Sequence, residues 1–302
     1  MRVKELSNTF SCPSSSGQAS VPWAVRLFRK SVLKQEKLRE IERLLPHLEG
    51  KTCLDIGGDN GVVSYLLRQK GGTWHSADMA ETVDAIRQIV RKNVHPLEGA
   101  RLPFPDKHFD LVVVIDYLEH IHDDHLFVDE VFRALKPGGE LILNVPHAKR
   151  WSLLRPVRLA LGLTDEWHGH VRPGYRESEL RQLLDGLFTI RAVRMYSRFF
   201  SHLIDTVFGL AHARFTKGKA RKTSKGAVVT QADFEGDARA FLLSSLLYPI
   251  CWFLVQLDRL LFFTKGYLLI VGAEKAAGGL GQRGQVPVLA CPGSRTSVGE
   301  SP

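Results

Sequence analysis

The sequence predicts an α/β protein of the doubly wound type, in which helices cover both faces of a mostly parallel sheet. Between Thr52 and Val145, short apolar runs alternate with amphipathic stretches, the pattern of parallel strands connected by helices. The run LVVVI at 111–115 is apolar throughout, as expected for a strand that is covered on both sides. Glycines cluster directly after the first apolar run, which is typical of a ligand-binding turn at the edge of such a sheet.

The predicted elements follow in chain order. Residues 1–20 are rich in serine and are expected to be disordered, and residues 21–48 are predicted to form one amphipathic, basic helix. Strands are predicted at 52–56, 73–77, 93–97, 110–115, 140–145, 187–196 and 266–273, and helices near 61–70, 81–92, 124–135 and 177–185. The tail, 276–302, is rich in Gly, Ser and Pro and is expected to be disordered.

An apolar helical insertion is predicted at 199–263, between the last two strands. Residues 199–210 are apolar, the linker at 213–226 carries six basic residues and no acid, and 240–257 has no charge. A single membrane span at 240–257 is disfavoured, because Pro249 interrupts it and the last strand must return to the sheet. Three arrangements stay open: a helix in the membrane interface, a shallow hairpin with 199–210, or a soluble lid over an apolar substrate pocket.

Length, charge and cysteine content limit the size of the domain, the kind of partner and the cellular compartment that are expected. With 302 residues and 44% hydrophobic content, the chain is long enough for one elaborated domain with a large core. A formal charge of +9 favours an anionic partner, such as a membrane surface, a nucleic acid or a phosphorylated substrate. The scattered cysteines indicate reduced thiols in a cytosolic protein, and the N-terminus lacks the apolar segment of a secretory signal.

The glycine turn lies in CLDIGGDNG, residues 53–61. Gly57, Gly58 and Gly61 do not match the GxGxxG pattern of dinucleotide-binding proteins. A ligand held by such a turn is a dinucleotide or S-adenosylmethionine. Asp55, just before the glycines, would repel a pyrophosphate but can accept a hydrogen bond from the amino group of a methionine moiety. The acid therefore favours S-adenosylmethionine.

Two further acids end the next two strands. Asp78, followed by Met79, is placed to accept both hydrogen bonds of a ribose diol. Glu98, followed by Gly99, comes after the third strand, where an adenine would lie. Each acid alone is equally typical of an ordinary loop, so the prediction depends on their combination.

Four segments occur in one order at ordinary spacing: LDIGGDNG, ADMAE, LPFPDKHFDLVVVIDYLEHI and LKPGGELILNVP. Together they resemble the class I S-adenosylmethionine-dependent methyltransferases, most of all the branch that includes the ubiquinone and menaquinone biosynthesis enzymes. The resemblance covers about 50–196 and 266–273. It implies a Rossmann-like sheet of seven strands with the last one antiparallel, a methyltransferase domain at 49–275, and S-adenosylmethionine as the cofactor.

The resemblance also assigns individual residues. Asp55, Gly57, Gly58 and Gly61 match the glycine-rich motif, Asp78 with Met79 the ribose-binding position, and Glu98 with Gly99 the position beside adenine. The family usually has glycine where this chain has Asp59. An aspartate tolerates a left-handed backbone better than most residues do, and its carboxylate could face the ammonium or sulfonium of the cofactor.

Proton transfer from an acceptor has three candidates. Asp116 ends the fourth strand, His120 follows four residues later, and His170 lies in DEWHGHVRPGY, a segment that borders the acceptor pocket in the resembled family. His120 could instead only pack against the following helix. The run HIHDDH at 120–125 has metal-ligand residues, but Asp123 or Asp124 as an N-cap explains it better, and no metal is expected.

The function expected from these patterns is methyl transfer to a lipid-like or amphiphilic small molecule, in the cytoplasm or at the inner face of its membrane. One alternative is a methyltransferase of surface-glycan or secondary-metabolite intermediates, with the insertion serving as a soluble lid. Another is a catalytically silent module that binds partners. No nucleic acid is expected as a partner, because no RNA-binding motif accompanies the basic linker.

Overall fold

The computed structural model describes residues 22–58, 60–149, 153–162, 169–215 and 238–277. The strands are β1 (Thr52–Ile56), β2 (Thr73–Met79), β3 (Val94–Leu97), β4 (Phe109–Ile115), β5 (Leu135–Pro146), β6 (Phe188–Tyr196) and β7 (Leu268–Lys275). The helices are α1 (Trp23–Phe28), α2 (Val32–Glu42), α3 (Val62–Arg68), α4 (Ala80–Val90), α5 (Asp124–Ala134), α6 (Arg155–Ala160), α7 (Glu177–Leu184), α8 (Phe199–Phe215) and α9 (Ala238–Leu257). Short 3-10 turns cover Leu118–His120 and Asp258–Leu261.

One sheet of seven strands runs in the order β3-β2-β1-β4-β5-β7-β6. The strands β1 to β5 pair in parallel, and β7 pairs antiparallel with both β5 and β6. The α/β prediction, the seven strands and the antiparallel last strand are therefore confirmed. The carboxyl ends of β1, β2, β3 and β4 meet at one edge of this sheet, where loops can converge on a ligand.

Apolar side chains cover both faces of the sheet. On one face, Leu54 and Val112 pack in a core with Phe127 of α5. On the other face, Cys53 and Val113 pack in a core that also contains residues of the N-terminal helices and of α3. Neighbouring residues of one strand thus point to opposite faces of the sheet, and apolar side chains cover both faces. This explains why β1 and β4 are apolar at consecutive positions instead of alternating with polar residues.

The N-terminal segment differs from its prediction. Residues 21–48 form α1 and α2 rather than a single helix, and the break lies at 29–31. Ser31 has an extended backbone, and its hydroxyl accepts a hydrogen bond from the backbone N–H of Lys34 at 3.4 Å. A serine in this role begins a new helix, and a hydrophobic pattern alone does not reveal such a break.

Two helices connect β6 to β7. They pack on α2 through a small apolar cluster of Val32, Ile204 and Val255. Asp258 secures the start of α8, because its carboxylate accepts hydrogen bonds from the backbone N–H groups of Arg198, Phe200 and Ser201 at 2.8–3.0 Å. Across the described ranges, none of the helices is both long and apolar enough to cross a membrane.

Several predicted segments lie partly or wholly outside the described residues. They are the serine-rich N-terminus, the part of the basic linker beyond Phe215, and the tail from 278 onward. The first three residues of the predicted linker, 213–215, belong to α8. Asp59 of the glycine turn also lies outside the described residues.

Candidate active site

The glycine turn after β1 has a backbone that a larger residue could not adopt. Gly57 has φ +91°, and a Cβ there would lie 1.9 Å from the carbonyl oxygen of Ile115 at the end of β4. The backbone N–H of Gly57 donates to the carbonyl of Ala77 at 3.1 Å, which ties the turn to β2. Gly61 has φ +82°, and its Cβ would lie 2.9 Å from Cα of Ile86. Close approach of backbone to backbone thus explains these glycines.

Asp55 lies beneath this turn and is completely buried. Its carboxylate accepts hydrogen bonds from Ser64, from Ser76 at 2.7 Å and from the guanidinium of Arg68 at 3.3 Å. Burial raises the pKa of Asp55, while Arg68 and the two serines act in the opposite direction. Asp55 therefore holds α3 and β2 against the turn, and its direct contact with a cofactor amino group stays a prediction.

Gly58 leaves room for the hydrogen bonds that Asp55 accepts. A Cβ at Gly58 would lie 2.4 Å from Oγ of Ser64, the hydroxyl that donates to Asp55. The sequence pattern did not predict the supporting role of Ser64, Ser76 and Arg68. They come from α3 and β2, and only the folded chain brings them to the end of β1.

The predicted acids after β2 and β3 lie at the same edge of the sheet. Asp78 is buried, and its carboxylate accepts from the backbone N–H of Met79 at 2.7 Å. Glu98 and Gly99 are exposed in the loop after β3. Tyr117, which sequence reasoning missed, joins the two positions: its hydroxyl donates to the carbonyl of Gly99 at 3.1 Å, and burial with the nearby charge of Asp78 raises its pKa.

Asp116 lies at the end of β4 in a strained conformation, with φ +45°. One carboxylate oxygen accepts from the side-chain amide of Asn144 at 2.7 Å, and the other forms an ion pair with Lys37 of α2. Asn144 in turn accepts from the buried hydroxyl of Tyr196 at 2.5 Å. We call Lys37, Asp116, Asn144 and Tyr196 the Asp116 network. Both oxygens of Asp116 are occupied by donors, and its role as a base stays a prediction.

The structure brings the two predicted histidines together. The ring centroids of His120 and His170 are 4.9 Å apart in an edge-to-face arrangement. Nδ1 of His120 lies 3.1 Å from the carbonyl of Gly169, and the backbone N–H of Val171 donates to the carbonyl of Glu119 at 2.8 Å. The two loops are therefore held against each other. The ligand atoms of Glu119, His120 and His170 lie within 4.8 Å of one another, so this group could also hold a metal ion.

The HIHDDH run has a structural role. The carboxylate of Asp123 accepts from the backbone N–H of Leu126 at 3.0 Å and caps α5, as predicted. Asp124 accepts from the hydroxyl of Tyr175 at 2.8 Å and pairs with Arg172. Asp124 therefore has partners within the protein that compete with a metal ion.

A cavity of about 1020 Å³ opens at the carboxyl edge, beside the ends of β5, β6 and β7. Its lining is mostly apolar and consists of His147, Ala148, Lys149, Leu153, Arg176, Glu177, Ser178, Arg181, Met195, Phe199, Phe200, Leu261, Thr264, Lys265 and Tyr267. His147 follows β5, and its Nδ1–H donates to the carbonyl of Gly266 at 2.8 Å. Burial lowers the pKa of His147. A cavity of this size and composition suits an organic ligand with a large apolar part.

Comparison with known proteins decides the family. Residues 28–187 match the family described as a methyltransferase domain, which is more than half of the chain. The chain belongs to the S-adenosylmethionine-dependent methyltransferases. The class I resemblance and the cofactor expected from it are confirmed at the level of this family.

Two curated methyltransferases and one solved structure illustrate the relationship. The chain is 30% identical over 106 residues to a ubiquinone biosynthesis O-methyltransferase of Pseudomonas fluorescens, covering 32% of this chain and 45% of that protein. It is 31% identical over 117 residues to a ubiquinone/menaquinone biosynthesis C-methyltransferase of Laribacter hongkongensis, covering 36% and 48%. The chain thus spans about half the length of these relatives.

The structural relative shows the fold alone. The crystal structure of the cyclase SpnF has a TM-score of 0.52 and 17% identity, and the match covers 81% of this chain and 82% of that one. Because a protein named for a different reaction shares this fold, the activity must be argued from the site.

The residues at the carboxyl edge fit S-adenosylmethionine. Gly57 and Gly61, with φ of +91° and +82°, form the tight turn at the end of β1, the place in a parallel sheet where ligands bind. Asp78 brings a carboxylate to the end of β2, where it can accept from ribose hydroxyls, and Glu98 with Gly99 lies exposed after β3. These residues would hold the nucleoside and the amino acid part of the cofactor in the methyltransferase.

Proposed function

We propose that the protein methylates a lipid-like or amphiphilic small molecule at the surface of a membrane, on its cytoplasmic side. The observation that carries this proposal is the large, mostly apolar cavity at the same sheet edge as the cofactor residues. The sheet positions the donor, and the helices between β6 and β7 supply much of the apolar wall of the cavity. A small polar acceptor would leave that wall in contact with water.

The reaction needs alignment and, for a hydroxyl acceptor, removal of a proton. Bound S-adenosylmethionine supplies an activated methyl group, and the protein supplies orientation and exclusion of water. His120 and His170 are proposed to receive the acceptor proton, because imidazole exchanges protons near neutral pH and the two rings are in contact. Asp116 is less suited to this task, because Lys37 and Asn144 already donate to it.

Exposed apolar side chains support the membrane part of the proposal. Leu153, Leu260, Phe262 and Phe263 are 81%, 68%, 77% and 74% exposed, and Leu153 also lines the cavity. We call these four residues the apolar rim. The rings of Phe262 and Phe263 are in contact, with centroids 5.7 Å apart, and exposed apolar groups in contact with each other mark an interaction surface. Burying one such side chain in lipid contributes about 1.5–3 kcal/mol.

A soluble lid is the competing arrangement for the same helices. Leu261, Phe199 and Phe200 do line the cavity, as a lid would require. However, α9 exposes Leu246 and Phe253 by 73% and 58%, and neither side chain lines the cavity. The exposed surface of α9 therefore favours the membrane interface.

The direct test is transfer of a labelled methyl group. The purified protein is incubated with S-adenosylmethionine that carries a labelled methyl group and with a total lipid extract from the organism that encodes it. We expect label in the organic phase, and loss of that label with His120→Gln. Label confined to water-soluble glycans or metabolites would support the soluble-lid alternative. No label in any fraction, from protein that binds the cofactor, would support a silent module.

A further inference from the structure

Two lysines line the mostly apolar cavity without a salt bridge to any described carboxylate. Nζ of Lys149 lies 4.2 Å from the centre of the Tyr267 ring, and the side chain is half-buried. Lys265, next to Gly266 at the start of β7, is exposed. The cavity therefore carries the positive charge of these two lysines on a wall whose surface is mostly apolar, while the two arginines of the lining, Arg176 and Arg181, are paired with Glu179 and Glu177.

Two acids lie in or near the cavity wall, Glu177 and Asp258, and both carboxylates accept hydrogen bonds from other groups. Glu177 lines the cavity, but its carboxylate accepts from the guanidinium of Arg181 at 2.6 Å. Asp258 accepts from the backbone N–H groups at the start of α8. The charge of Asp258 opposes the lowering of the Lys149 pKa, but among the described residues neither carboxylate forms a salt bridge with the two lysines.

The two ammonium groups act on the same part of the cavity. Lys149 and Lys265 both lower the pKa of His147 by charge repulsion, in addition to burial. Burial and the nearby charge of Arg198 lower the pKa of Lys149 itself. A partly desolvated ammonium that forms no salt bridge costs free energy, and a bound anion would offset that cost.

The rest of the cavity wall is suited to a hydrocarbon chain. Leu153, Met195, Phe199 and Leu261 contribute apolar surface, and Leu153 belongs to the apolar rim. A ligand that fills this space must therefore combine an anionic group with an apolar body. Lysine binds phosphate and carboxylate as a point charge, without demanding a particular geometry.

We infer that the acceptor is an anionic amphiphile, with a phosphate, pyrophosphate or carboxylate group held by Lys149 and Lys265 and its apolar part along the cavity wall. The inference rests on the proposed function and narrows its substrate class. The same anionic group could belong to a soluble amphiphile or to a lipid headgroup, and the test separates these two sources.

The test uses the full chain saturated with S-adenosylhomocysteine and monododecyl phosphate below its micelle concentration as the probe. Calorimetry should show binding to the wild type and at least tenfold weaker binding to the Lys149→Gln, Lys265→Gln double variant. The double variant with arginine at both positions should bind within about threefold of the wild type. Lys92→Gln, which removes one charge at the opposite edge of the sheet, should change nothing.

Two results would overturn the inference. One is equal affinity of the wild type and the double glutamine variant for monododecyl phosphate. The other is binding of inorganic phosphate as tight as that of the amphiphile, because the apolar wall would then have no role. If the double variant loses sedimentation with phosphatidylglycerol vesicles but keeps the soluble probe, the lysines serve the membrane surface, and the inference fails too. Cofactor binding and methyl transfer are measured separately, so failure here leaves the proposed function standing.

Discussion

At the scale of single residues, close packing within the protein explains Gly57 and Gly58 of the glycine motif without any ligand contact. Gly57 lies against the carbonyl of Ile115, and Gly58 makes room for the hydroxyl of Ser64. The carboxylate of Asp55 accepts hydrogen bonds from three donors of the protein itself. The residues of the motif therefore stabilise the turn, and that turn provides the site for the cofactor.

Gly57→Ala tests this view of the turn. The new Cβ would collide with the carbonyl of Ile115, so we expect a loss of about 2–4 kcal/mol in the free energy of unfolding, together with loss of cofactor binding. Gly50→Ala is the matched control, because Gly50 also has a positive φ, +72°, but open space around its Cβ. The control should lose only about 1–2 kcal/mol and keep the cofactor. Equal losses in the two variants would show that strain alone, not crowding, explains Gly57.

At the scale of elements, α2 connects the site to the helices between β6 and β7. Lys37 pairs with Asp116, and the residue before it, Glu36, accepts from Ser197 at 2.7 Å and from Ser201 at 3.3 Å. Glu36 is partly sheltered by α8, and burial together with the charge of Asp258 raises its pKa above the ordinary value of 4.5. One helix thus holds the Asp116 network on one side and α8 on the other.

The raised pKa of Glu36 predicts a pH dependence of stability. A carboxyl group with a raised pKa in the folded state binds protons more tightly there than in the unfolded chain, so falling pH favours folding. Relative to Glu36→Gln, the wild type should gain stability as the pH falls from 7 towards 4.5, measured by denaturant unfolding. If the stability of the wild type relative to Glu36→Gln falls as the pH falls, the raised pKa of Glu36 is contradicted.

The strands and helices could be predicted from the sequence, but most of the side chains that form hydrogen bonds or ion pairs with the site residues could not. Each strand is an apolar run, and the glycines and acids that follow it mark its end, so the positions of Gly57 and Asp78 follow from local pattern. Partners in the Asp116 network come from far along the chain: Lys37 is 79 residues from Asp116, and Asn144 is 28 residues from it. A periodic pattern in the sequence cannot connect residues this far apart along the chain, and only the order of the strands in the sheet brings them together.

At the scale of the whole molecule, the two halves of the sheet carry different parts of the candidate site. The strands β1, β2 and β3 carry the cofactor residues, whereas β5, β6 and β7 border the cavity. The segment between β6 and β7 extends from that second half, and the part of it that follows α9 carries three residues of the apolar rim, Leu260, Phe262 and Phe263. An acceptor can thus enter from one side of the molecule without passing the cofactor turn.

This division predicts that the apolar rim controls membrane binding and leaves the cofactor site unchanged. Phe262→Ser with Phe263→Ser should weaken sedimentation with phosphatidylglycerol vesicles at least tenfold, because burial of each ring contributes about 1.5–3 kcal/mol. Both side chains are mostly exposed, so stability should stay within about 0.5 kcal/mol of the wild type. Unchanged vesicle binding by this variant would contradict the membrane part of the proposal.

The most direct measurement is calorimetry with S-adenosylhomocysteine, the product of the donor, on the wild type and Asp78→Asn. Asparagine keeps an oxygen that accepts from Met79 but loses the second acceptor for the ribose diol. The account predicts specific binding by the wild type and a loss of about 1–3 kcal/mol with Asp78→Asn. Tighter binding of NADH than of S-adenosylhomocysteine, or equal affinity of the two proteins for it, would contradict the account.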